Sequence, residues 1–172
     1  MARHVFLTGE KGAGKSTVLK KVLLMYKGTA GGFFTVRTNA FLGGKYSVHI
    51  FPAGEKAEPT ADNLLFICDG SGANTADRFN ALGCYALSRR DVSLFVMDEL
   101  GPHEAEAEAF RKRVTEVLDG DIPVLGVLQA PADKFWAEIV NRKDVKVITV
   151  TKENRSNTDL TDEIRNILKL NN

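Results

Sequence analysis

Gly9-Glu10-Lys11-Gly12-Ala13-Gly14-Lys15-Ser16 has the spacing G-x-x-x-x-G-K-[ST], which brings a lysine and a hydroxyl to the end of a glycine-rich run. The chemistry of that spacing is phosphate binding. Glycines let the backbone wrap an anion, and consecutive N–H groups then point into the concavity. A helix that starts there adds the positive end of its dipole. Lys15 is expected to reach the β- and γ-phosphates of a nucleotide and the Ser16 hydroxyl to ligate Mg²⁺, with Thr17 following at the helix start. A second candidate is Leu94-Phe95-Val96-Met97-Asp98-Glu99, an apolar run that ends in two carboxylates. Asp98 at the carboxyl end of a strand would hold Mg²⁺ beside Ser16. Glu99 would orient, or take a proton from, the water that attacks the γ-phosphate.

Such residues need elements to hold them, and the flanking pattern supplies these. His4-Val5-Phe6-Leu7 reads as a buried strand, and Thr17–Met25 repeats its apolar positions at helical spacing, so the glycine loop lies between strand and helix. Further strands are expected at 33–38, 46–51, 64–68, 92–97, 123–128 and 145–150. Helices are expected at 77–90, from about His103 to Leu118, at 135–141 and at 160–170, the last capped by Thr158 or Asp159. Gly28 and Gly31-Gly32 break the pattern after the first helix, and Gly43-Gly44 marks a hairpin turn. Alternating strands and helices argue an α/β fold with a mainly parallel sheet. The stretch around 32–68 breaks the alternation and is expected to add antiparallel strands at an edge. In such a sheet the site lies at the carboxyl ends of the strands, where both motifs fall.

The 172 residues, 44 % of them hydrophobic, suffice for one core, so a single domain over 1–172 is expected. A net charge of +1 gives no electrostatic case for a nucleic-acid or membrane surface. Cys68 and Cys84 lack metal-ligand spacing and read as two buried, reduced thiols. Met1-Ala2-Arg3 runs directly into the first strand, and no apolar run reaches the length of a membrane span. The expectation is therefore a cytoplasmic protein without a signal peptide.

Four motifs together resemble the THEP-type nucleoside-triphosphatases: the loop 9–17, Gly-Gly-Phe-Phe-Thr-Val-Arg (31–37), Asp-Glu-Leu-Gly-Pro (98–102) and Thr-Lys-Glu-Asn-Arg (151–155). The resemblance spans nearly the whole chain. It implies a RecA-like three-layer P-loop fold, Mg²⁺ dependence, and slow hydrolysis of several nucleoside triphosphates with little base discrimination. Carried over by position, Lys15 and Ser16 hold phosphate and metal, Asp98 supports the metal and Glu99 is the candidate base. The chain departs from the family's pattern at His103-Glu104-Ala105, where Met-Glu-Leu is usual, and at Gln129–Asp133, where basic residues are frequent.

Arg37, Arg78, Arg142 and Arg155 are each candidates to offset γ-phosphate charge, and each also suits a surface or ion-pairing role. Arg37 and Arg155 follow strands and are the first choices for nucleotide contact, with Asn154-Arg155 placed to flank a base. His103 reads as an exposed residue at a helix start, and Trp136 as packing. Residues 69–76 suit either a lid hinged at Gly70 and Gly72 or a plain connection. The expected activity is Mg²⁺-dependent hydrolysis of ATP, GTP and others to the diphosphate and phosphate. A small-molecule kinase, with Glu99 or Asp69 taking a hydroxyl proton, and a nucleotide-dependent switch or assembly factor are the alternatives. Nucleoside triphosphates are the expected partners; the sequence shows no protein partner.

Overall fold

The structure, a computed structural model, describes residues 1–71, 74–129 and 134–170. In chain order the elements are β1 His4–Thr8, α1 Lys15–Leu24, β2 Ala30–Leu42, β3 Lys45–Pro52, β4 Leu64–Ile67, α2 Thr75–Arg78, α3 Cys84–Ala86, β5 Leu94–Leu100, α4 Glu108–Asp119, β6 Val124–Leu128, α5 Lys134–Val140, β7 Val145–Thr149 and α6 Thr158–Ile167. A π-helical stretch, Phe79–Gly83, joins α2 to α3, and a single 3₁₀ turn, Pro102–Glu104, follows β5.

The described residues form one seven-stranded sheet in the order β4-β3-β2-β5-β6-β1-β7. Strands β2, β5, β6, β1 and β7 run parallel, whereas β3 pairs antiparallel with β2 and β4 antiparallel with β3 at the edge. This is the mainly parallel α/β sheet, with its antiparallel extension, that the alternation predicts. Val5, Phe6 and Leu7 of β1 are fully buried, as expected of a strand covered on both faces. On one face Val18, Leu19 and Val22 of α1 pack with Leu160 and Ile164 of α6. On the other, Phe110, Val114 and Leu118 of α4 pack with Trp136 and Ile139 of α5, and with Phe79. The result is three layers, helix on sheet on helix.

Several local expectations are corrected. The charged helix begins at Glu108 rather than His103, because Pro102 opens a separate turn. Its Gly101 N–H donates to the Glu104 carboxylate at 2.9 Å, and Phe110 N–H is capped at 2.9 Å by Asn80 of the neighbouring π-helical stretch. The last helix is capped by Asn157, whose side chain accepts from Asp159 N–H at 2.9 Å, not by Thr158 or Asp159. Gly31-Gly32 lies within β2 instead of breaking it. Gly32 has φ +89, and a Cβ there would stand 1.9 Å from the Val96 carbonyl of β5, so only glycine allows the two strands this approach. Cys68 is exposed and Cys84 half-buried, both free, since Cys68 lies just past the end of the edge strand β4. Trp136 is packing, buried with its indole N–H on the Gly101 carbonyl at 2.7 Å. Among the described residues no helix is long and apolar enough to cross a membrane.

Candidate active site

The loop between β1 and α1 takes its shape from glycine. Gly9, Gly12 and Gly14 have φ of +141, +81 and +105, and Gly14 directly precedes the first turn of α1. A Cβ on Gly14 would stand 2.8 Å from Cδ of Arg155, so the loop and the segment after β7 touch at a residue that has no side chain. Lys15, only 8 % exposed, donates to the carbonyls of Gly9 at 2.9 Å and Glu10 at 3.1 Å. The ammonium is thereby held inside the ring of amides that the loop presents.

The second half comes from β5, which continues through Asp98 and Glu99 to Leu100. Its pairing with β6 runs from Met97↔Gly126 to Leu100↔Leu128, three residues on β5 against two on β6. That extra residue is a bulge, the device that re-aims side chains beside functional sites. Within it Asp98 is buried and accepts a 3.0 Å hydrogen bond from the Ser16 hydroxyl across 82 positions of sequence. Burial pushes the Asp98 carboxyl up to about 6, against the hydrogen bond from Ser16, and the neighbouring Glu99 carboxylate pushes the same way. Burial also raises Glu99, opposed by the ammonium groups of Lys15 and Lys11.

These groups share one cleft of about 620 Å³ at the carboxyl ends of the parallel strands. Of the predicted residues, Gly9, Lys11, Gly12, Gly14, Lys15, Ser16, Thr17, Arg37, Asp98, Glu99 and Arg155 line it. Glu10 contributes its carbonyl to Lys15, and Ala13 is buried with its N–H on the Glu10 carbonyl. Arg78 and Arg142 lie elsewhere. The first donates to the carbonyls of Ala61, Asp62 and Leu64, and the second pairs with Asp119 and Asp144. Asn154 closes the turn after β7, accepting from Thr151 N–H and donating to the Thr149 carbonyl, which sets Arg155 beside the loop.

The sequence reading missed Thr35, Val48, Phe66 and Cys68, which line the far part of the cleft. Their only sequence signal is alternation along β2, β3 and β4, with Cys68 just past the end of the last. His103 is exposed as expected but also lines the cleft, stacked on Phe66 with ring centroids 4.2 Å apart. Of the run Gln129–Asp133, Gln129 lines the cleft and 130–133 lie outside the described residues, as does Gly72 of the suggested lid.

The donor set suits a hard divalent cation. A hydroxyl and a buried carboxylate whose ionised form burial disfavours offer oxygen ligands, and a cation beside Asp98 would restore its charge. Among the described residues no cluster of three or more His, Cys, Asp or Glu side chains could hold a metal alone. Mg²⁺ characteristically takes one or two protein oxygens and completes its shell with phosphate and water.

The sequence model of a family described as NTPase matches residues 4–165. The human cancer-related nucleoside-triphosphatase is 33 % identical, with 91 % of this chain and 92 % of that one covered. Nucleoside-triphosphatase THEP1 of Thermotoga sp. (strain RQ2) is 28 % identical, with 97 % and 96 % covered. The crystal structure of THEP1 from Aquifex aeolicus superposes with a TM-score of 0.71 at 22 % identity, over 96 % of this chain and 99 % of that one. The solution structure of the human protein gives 0.65 at 29 % identity, over 99 % and 100 %.

Proposed function

From the premise that this chain belongs to the NTPase family, we infer that it is a nucleoside-triphosphatase, an enzyme that hydrolyses nucleoside triphosphates to the diphosphate and phosphate. The observation that carries the reading is the Ser16–Asp98 contact, because it joins the phosphate loop to the strand end that bears Glu99.

The catalytic work divides among the chain's own groups. The loop amides from Gly12 to Thr17 and the positive end of α1 cradle the phosphates. Lys15 leaves its carbonyl partners for the β- and γ-phosphate oxygens and offsets charge that grows as the bridging bond breaks. Glu99 holds the attacking water and accepts its proton, and its raised pKa makes the carboxylate a better acceptor. Arg155 lies beside Gly14 and Arg37 lines the same cleft, so both add positive charge to it. Ser16 and Asp98 are the residues that would hold Mg²⁺, which would neutralise phosphate charge when bound. We assign a broad nucleotide range, ATP and GTP included, because the loop offers groups suited to phosphate alone, and with it the slow turnover that the family resemblance implies. By the same reading the enzyme works in the cytoplasm.

Glu99→Gln tests the assignment. It keeps the shape and removes the base, so phosphate release from Mg-ATP is expected to collapse while binding of a fluorescent Mg-nucleotide persists. Wild-type turnover in that variant would give the water-orienting role to another residue.

A further inference from the structure

In-line transfer from the γ-phosphate requires the attacking oxygen to arrive opposite the leaving oxygen, on the side of Glu99 away from the loop. A hydrolase needs room there for one water. This cleft instead continues onto a platform built by the antiparallel extension. Arg37 of β2, Val48 of β3 and Phe66 of β4 are successive cross-strand partners, and paired positions share a face. All three line the cleft, with Thr35 two positions before Arg37 on the same strand. His103, from the turn after Glu99, stacks on Phe66 and walls the platform. The Arg37 guanidinium lies over the ring of Tyr46, 3.9 Å from its centroid, which fixes a positive charge at the mouth. Phe34 is the Cα partner of Asp98, so the platform begins one residue from the catalytic pair.

We propose that this half of the cleft binds a small anionic alcohol and that the enzyme passes the γ-phosphoryl group to it. The proposal rests on the nucleoside-triphosphatase reading of the same site. The aromatic wall and Val48 receive the ligand's carbon skeleton, Arg37 meets its anionic group, and its hydroxyl takes the place of water beside Glu99. The oxygen–phosphorus bond to the acceptor forms as the bond to the β-phosphate's bridging oxygen breaks. The hydroxyl proton goes to the Glu99 carboxylate, and the nucleoside diphosphate leaves with the bridging electron pair. Hydrolysis is then the reaction of the same machinery when water alone fills the platform.

The test follows the label. ATP labelled in its γ-phosphate is incubated with Mg²⁺, wild-type enzyme and, separately, glycerol phosphate, ribose phosphate, AMP or neutral glycerol, and inorganic and organic phosphate are separated. With at least one anionic acceptor, organic label is expected to exceed the acceptor-free control by about tenfold or more, since a bound, oriented hydroxyl outcompetes water. Which acceptor succeeds distinguishes a sugar or polyol phosphate from a nucleotide. Cys68→Trp, at the exposed end of the platform and outside the phosphate machinery, is expected to abolish organic label while ADP formation without acceptor is unchanged. Label found only as inorganic phosphate with all three anions, from enzyme that makes ADP, overturns the proposal. So does equal transfer to glycerol and glycerol phosphate, or undiminished transfer in Cys68→Trp. Failure to form ADP under any condition removes instead the hydrolase reading beneath it.

Discussion

Lys15 donates to two backbone carbonyls, Gly9 and Glu10, and this bears on what its removal does. Those carbonyls point into an open cleft and can turn to water, so Lys15→Ala is expected to fold normally. Its turnover should drop by about 10²–10³, the usual effect of deleting one preorganised donor to a developing charge. Phosphate release with the melting temperature as control checks both halves, and an unfolded variant would contradict the first. Gly14→Ala should behave differently. It places a Cβ 2.8 Å from Arg155 at φ +105, so both the loop and the contact that holds Arg155 must shift. Weaker nucleotide binding at equilibrium is the expected result, and dissociation constants from titration test it. At this scale the sequence was most legible. The spacing of Gly9 to Ser16 and the carboxylates of 98–99 name the machinery because their chemistry fixes residue type at fixed offsets. It placed Asp98 beside Ser16 through a shared metal; the direct hydrogen bond across 82 positions, and the bulge in β5 that aims one at the other, it did not show.

At the scale of elements, the antiparallel extension depends on a polar knot at its base. His49, fully buried on β3, has Nδ1 on Asn63 Oδ1 at 2.8 Å, so Nδ1 carries a proton, and its Nε2 is hydrogen-bonded with the Ser47 hydroxyl at 2.9 Å. Asn63 also accepts from Thr60 N–H and donates to the Glu58 carbonyl, tying the loop before β4 to the strand. Asn63→Ala leaves His49 with a buried donor and no acceptor, a loss of roughly 1–3 kcal/mol. Urea denaturation should show a lower midpoint at unchanged slope; a variant as stable as wild type would mean that the knot contributes nothing. The strands themselves were readable from alternation and from Gly43-Gly44, whose φ values of +57 and +98 suit the tight turn between Leu42 and Lys45. The cleft-lining set Thr35, Val48, Phe66 and Cys68 was not, because each residue type is ordinary for a strand and only the register places them together. The π-helical stretch 79–83 and the late start of α4 were hidden for a similar reason. The cap of α4 comes from Asn80 on another element, which no local pattern announces.

For the whole molecule, stability is linked to ligand and to acid. Nucleotide at about 100 times its dissociation constant adds roughly 2.7 kcal/mol by mass action alone. Mg-ATP, Mg-GTP and Mg-CTP are expected to raise the melting temperature by similar amounts, and a shift with a single base would refute broad specificity. His4 sets the acid limb. It is fully buried in β1, accepts Val124 N–H at Nδ1, and lies 3.7 Å from Asp144, with Arg3 and Arg142 nearby. Burial lowers it from 6.5 to about 4, only partly countered by Asp144. The unfolded chain therefore takes up this proton before the folded one does, and stability is lost as pH falls from 6.5 towards 4, by up to roughly 3 kcal/mol. His4→Asn, which keeps an acceptor for Val124, should flatten that decline in urea midpoints measured at several pH values; an equally steep fall would assign the acid sensitivity to other groups. One further consequence lies in the reversal of strand direction beside β2. The parallel strands carry the loop, Asp98 and Glu99, whereas β3 and β4 carry the far lining and are keyed to the body by Arg78 on the Leu64 carbonyl, by His103 on Phe66 and by Ile50 and Leu65 in the core. That reversal is a seam between two tasks: an engine for the β–γ bond on one side and, on the transfer proposal, a lining that meets the acceptor on the other. A change of side chain at Val48 should then alter what the lining accepts and leave the engine's own rate untouched.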